Sequence, residues 1–118
     1  MKREQIAKNI VADLKELAAL TSDADGAQRV AWTPTFKKAT EWFTQKMQAA
    51  GADVWTDAAG NSWAKFAGES KECIVIGSHL DSVPDGGWLD GALGVVAGMG
   101  IGAYGLADKK PAKTLYVV

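Results

Sequence analysis

Apolar residues at Ile6, Ile10, Leu14, Leu17 and Leu20 recur at three- and four-residue spacing, with polar and charged residues between them. That spacing predicts an amphipathic helix of roughly four to five turns with one stripe facing a core, ending near Thr21-Ser22-Asp23. A polar loop containing Gly26 follows, from Ser22 to Arg29. Thr33-Pro34 has the form of a helix start, with Thr33 as N-cap and Pro34 at the first helical position, where its missing N–H costs nothing. This second helix is expected to bury Phe36, Ala39, Phe43 and Met47 and to stop at Gly51.

The periodicity then changes. Asp53 to Thr56 and Ser62 to Phe66 read as two strands around Ala59-Gly60-Asn61, a hairpin-like turn. Cys73-Ile74-Val75-Ile76 is continuously apolar, as expected of a strand ending near Gly77 and covered on both faces. A helix from about Gly91 to Leu106 leads to a last strand near Thr114 to Val118. Strand, crossover helix and strand make an α/β sheet, which places the loop after Gly77 at a carboxyl end, where such sheets hold ligands. There is no internal repeat, and no linker long enough to divide the 118 residues into two domains.

Composition narrows the function classes. Thirteen basic residues stand against fourteen acidic ones, without a basic stripe to grip phosphates, so nucleic acid is not an expected partner. The apolar run from Ala92 to Ala107 is glycine-rich and shorter than the ~20 residues that span a bilayer. The charged start Met1-Lys2-Arg3-Glu4-Gln5 does not lead into an apolar signal core. Neither export nor membrane anchoring is indicated. The single Cys73 excludes an internal disulfide and is expected to be a buried, unreactive thiol in a reducing cytoplasm.

The chemistry concentrates after the third strand. His79 is the chain's only histidine, Asp81 lies two residues on, and Asp90 lies eleven residues on, beyond Pro84 and Gly86-Gly87. An imidazole and a carboxylate together suit zinc and its divalent neighbours. Residues two apart on an extended segment point to the same side. Asp81 can therefore fix the His79 tautomer and raise its basicity, although a loop cap on nearby N–H groups is the plainer role for such an aspartate. Asp90, brought back by the glycine turn, is the second candidate ligand, with backbone N–H groups of the following helix start to help hold it. Two ligands fall short of the three that a catalytic zinc keeps, so partial metal binding and little turnover are expected from this chain alone.

GSHLDSVPDGGWLDGALGV, residues 77 to 95, resembles the first metal-binding motif of the zinc-dependent aminoacylase/carboxypeptidase superfamily. It is most similar to the branch of N-carbamoyl-L-amino-acid hydrolases, allantoate amidohydrolases and β-ureidopropionases. Asp25-Gly26, Arg29, Trp32-Thr33, Ala50 to Val54 and Asp57 to Asn61 agree with that branch, so the resemblance covers nearly the whole chain.

The resemblance implies a partial three-layer α/β/α domain with a mixed, mainly parallel sheet. It further implies that the chain is the N-terminal portion of a catalytic domain, without the downstream half and the lid or dimerisation domain. His79 would bind one of two divalent ions (zinc first, manganese or cobalt as alternatives), Asp90 would bridge both, and Asp81 would act as the catalytic partner that orients His79. Such enzymes commonly follow the bridging aspartate with a cis peptide, here Asp90-Gly91. They also need a Glu-Glu pair and further histidines, which would lie beyond Val118.

The glycines at 91, 94, 98, 100, 102 and 105 lack the Lys-Ser/Thr ending of a nucleotide loop, so close packing against the sheet explains them better. Trp32, Trp42, Trp55 and Trp63 read as core or interface residues, while Trp88 is either that or a substrate contact. The reading that results is a metal-dependent amidohydrolase acting on a linear C–N bond of a small N-carbamoyl or ureido acid. An aminopeptidase or dipeptidase, or a truncated binding module, is the alternative. Val117 and Val118 are expected to leave a free strand edge through which the chain forms a homodimer.

Overall fold

The computed structural model describes residues Met1–Val118. The first helix, α1 (Arg3–Thr21), precedes a two-residue-per-strand hairpin of β1 (Ser22–Asp23) and β2 (Gly26–Ala27), inside the stretch expected to be a plain loop. Asp23 closes its turn by accepting from the Asp25 N–H at 2.9 Å. Next come α2 (Pro34–Ala49), β3 (Asp53–Thr56), β4 (Ser62–Phe66), β5 (Ser70–Ile76), α3 (Ala92–Gly100) and β6 (Lys113–Val117). The start of α2 is the one the sequence predicts, since Thr33 Oγ1 accepts from the Phe36 N–H and Pro34 opens the helix.

The β3–β4 turn owes more to Asp57 than to its glycine. That carboxylate accepts from the Trp63 indole at 2.9 Å, from the Asn61 amide at 2.9 Å, and from the backbone N–H groups of Ala59 and Asn61. These donors, the indole first, hold its pKa down to about 2.

The sheet is mixed, in the order β3-β4-β6-β5, with antiparallel pairing everywhere except between β5 and β6. Ala64, Leu115 and Val117 point to the side where Leu14, Leu17, Phe43, Met47, Val95 and Met99 from the three helices complete the core. On the other face Trp55 and Trp63 stack, and Tyr116 meets both edge-on.

Several sequence expectations are corrected here. β6 lies inside the sheet and Val117 is fully buried, so the edge strands are β3 and β5. As a result β5 is covered on neither face along most of its length, with Ile74 and Val75 52% and 53% exposed, and Cys73 is exposed as well. Leu20 is exposed on α1, while Asp13 and Thr21 are buried there. Trp42 is buried on α2, and Phe36 only partly. The glycine-rich helix ends early and its last turn, Ile101–Gly105, widens to a π-helix. Its glycines do serve close packing, since a β-carbon at Gly98 would come within 3.1 Å of Ile76 and Val117.

Candidate metal centre

Residues 77–91 form the loop between β5 and α3. Its first turn is tied to the sheet, because the Ser78 N–H donates to the Val118 carbonyl at 3.1 Å and the Val118 N–H to that of Ile76. His79 and Asp81 therefore emerge from the carboxyl end of a parallel strand pair. Leu80, between them, turns inward and is buried.

His79 is half exposed, and its Nδ1 lies 3.0 Å from the Asp81 carbonyl oxygen and 3.2 Å from Asp81 Oδ1. Both neighbours are acceptors, so a neutral imidazole carries its proton on Nδ1 and presents the Nε2 lone pair outward. That is the tautomer a metal-binding histidine needs.

Gly91 brings the other end of the loop onto the same ring. Its φ is +71°, and a β-carbon there would lie 2.5 Å from His79 Nδ1 and Cε1 and collide with the His79 carbonyl oxygen. The Gly91 backbone is thus pressed against the imidazole, and Asp90, the residue before it, is exposed. No peptide bond is cis, so the cis bond expected at Asp90-Gly91 is replaced by a trans bond and a left-handed glycine. No side chain caps the start of α3.

The loop is clamped from below by the β2 segment. Ala27 and Gly86 exchange backbone hydrogen bonds at 2.9 Å in both directions. Gln28 donates to Asp85 Oδ1 at 2.7 Å. Arg29 is fully buried; its Nε donates to the Leu80 carbonyl at 2.6 Å, its N–H to Ser82 Oγ at 3.0 Å, and its carbonyl accepts from the Ser82 N–H at 2.8 Å. Burial pushes the Arg29 pKa down, and the charges of Asp81 and Asp90 act against that. The sequence marks Arg29 only as part of a family resemblance, because nothing in a polar loop signals that one cation will be buried.

A cavity of about 250 Å³ opens beside His79, lined by Asp81, Ser78, Asn61, Gly60, Phe36 and Trp32 among others. Trp32 is not a core residue: it is 79% exposed and holds a left-handed backbone, φ 68°. Trp88 is partly exposed and lies outside the cavity lining. A separate group of carboxylates, Asp23, Asp25 and Asp85, gathers within 4.8 Å on the exposed hairpin side. Asp23 Oδ1 accepts from the Asp25 N–H and from Gln28, and Asp85 Oδ1 accepts from Gln28.

As a donor set, the imidazole of His79 and the exposed carboxylate of Asp90, one residue from the Gly91 contact, fit half of a divalent-metal site. No protein-family model matches the chain. It is 36% identical over 95 residues to the N-carbamoyl-L-amino-acid amidohydrolase of Paenarthrobacter aurescens, a match that takes in 79% of this chain and 23% of that protein. It is 40% identical over 90 residues to allantoate deiminase 1 of Glycine max, taking in 74% of this chain and 18% of that one. Among solved structures, an amidase of the hydantoinase/carbamoylase family from Burkholderia phymatum superposes with a TM-score of 0.80 at 34% identity, over 92% of this chain and 27% of that chain. By sequence and fold, the chain is similar to part of the hydantoinase/carbamoylase amidases. A further amidase of this family, from Burkholderia multivorans, superposes with a TM-score of 0.86 at 28% identity. The chain spans roughly a fifth to a quarter of the length of the curated amidohydrolases and deiminases it matches.

Proposed function

We propose that this chain supplies part of the metal centre of an amidohydrolase that cleaves the linear C–N bond of an N-carbamoyl amino acid or a related ureido acid. The observation that carries the reading is the packing of Gly91, the residue after Asp90, on the ring of a histidine whose Nδ1 is already taken by Asp81. Relatives named for N-carbamoyl amino acids and for allantoate supply the substrate class.

His79, through Nε2, and Asp90 would hold a divalent ion, zinc in the first instance with manganese or cobalt as alternatives. When bound, such an ion supplies Lewis acidity toward the carbonyl that is to be attacked. The remaining roles fall to the chain's own groups. Asp81 keeps the His79 proton on Nδ1 and fixes the plane of the ring. The cavity beside His79, with Trp32 and Phe36 on one side and Asn61 on the other, receives a small planar polar group against an apolar wall. Trp88, on the same loop and partly exposed, is a second candidate substrate contact. The exposed Cys73 suits a reducing cytoplasm, and the open edge of β5, with Ile74 and Val75, is the surface through which copies of the chain would associate.

Calorimetric titration of zinc into the folded chain tests this. One site, lost in both His79→Ala and Asp90→Ala, is expected. A folded chain that binds no zinc, or variants that bind as the parent does, would sink the reading.

A further inference from the structure

The metal reading leaves Arg29 unexplained. A buried guanidinium is held only where its donors are used, and here Nε and Nη1 are engaged, by the Leu80 carbonyl at 2.6 Å and by Thr21 Oγ1 at 3.4 Å, while Nη2 is buried without any partner. Its backbone is locked to Ser82 from both sides. Leu80 stands between His79 and Asp81, so anchoring its carbonyl fixes the direction in which both neighbours leave the chain. Asp81 and Asp90 are the two carboxylates whose charge reaches the guanidinium.

We infer that Arg29 is the positioning residue of the site. Its Nε holds the Leu80 carbonyl and so fixes the direction in which His79 and Asp81 leave the chain before an ion arrives. This rests on the proposed metal role of His79 and Asp90. A lysine would keep the charge but lose the planar guanidinium and its Nε.

The test compares the parent chain with Arg29→Met and Arg29→Lys by amide hydrogen exchange without metal and by cobalt(II) titration read in the visible spectrum. In Arg29→Met the Ser82 and Gly86 amides are expected to exchange faster while those of Ala64 and Val117 in the sheet keep the parent's rates. Cobalt affinity is expected to fall roughly 10- to 100-fold, the loss typical when a group that orients metal ligands is removed, and the spectrum at saturation to change. Arg29→Lys should fall between the two, and it decides the matter should Arg29→Met fail to fold. Parent-like exchange at Ser82 and Gly86, uniform acceleration throughout the sheet, or an unchanged cobalt spectrum and affinity would overturn the inference, as would parent values for Arg29→Lys. Absence of any cobalt band from the parent chain would overturn the metal reading instead, and Arg29 would then be judged on amide exchange alone.

Discussion

At position 91 two demands meet on one residue. The backbone is left-handed, and the His79 ring and carbonyl fill the space a side chain would need. Gly91→Ala is therefore expected to destabilise the fold by about 1–3 kcal/mol from strain at the left-handed backbone and to displace Asp90 from His79. A thermal melt and a zinc titration read the two effects. His79, Asp81, Asp90 and the glycine turn were legible in the sequence because their chemistry and spacing are local. Arg29 and Trp32 were not, because what singles them out is tertiary. One is a cation that ended up buried, the other a bulky aromatic with positive φ that ended up exposed at the cavity.

Between elements, the three helices are joined by a polar cluster that periodicity does not reveal. Tyr104, in the π-helical turn, donates to Asp13 Oδ2 at 2.6 Å, Lys46 bridges Asp13 at 3.2 Å and Glu16 at 3.0 Å, and the Trp42 indole donates to Glu16 at 2.9 Å. Asp13 interrupts the apolar stripe of α1 and is buried because α2 and the widened turn each bring it a donor. Burial, then the bond to Asp13, push the Tyr104 phenol up to about 12. Because the folded value lies above the ordinary one, this contribution to stability is complete below about pH 10 and is lost as pH rises through about 12. Ultraviolet titration should show one tyrosine ionising near that upper value, and Tyr104→Phe should remove it. That substitution is expected to cost about 1 kcal/mol, the net worth of one hydrogen bond. The same comparison explains the strand that was misjudged. Cys73-Ile74-Val75-Ile76 has the composition of a strand covered on both faces, yet it stands at an edge; apolar composition records a need for cover without recording what provides it.

For the molecule as a whole, that edge is expected to govern self-association. An edge strand with one side unpaired and Ile74 and Val75 exposed is a template for pairing with another chain. Sedimentation at increasing concentration is expected to show self-association, and Val75→Lys to abolish it; a monomer at every concentration would refute the role of the edge. The arrangement of the sheet also bears on how it assembles. β4 and β5 follow one another in the chain but do not pair, because β6 lies between them and bonds to both. The hairpin of β3 and β4 can form from local contacts, whereas β5 has no partner until the chain has passed through α3 and returned. Sheet closure is thus a late, long-range event that bears the entropy of the intervening loop. Until it happens, Ser78 has no Val118 carbonyl to hold, and the strand end that aims His79 has no frame. During synthesis and refolding the loop that carries His79 and Asp90 is therefore expected to be among the last parts of the molecule to acquire its shape.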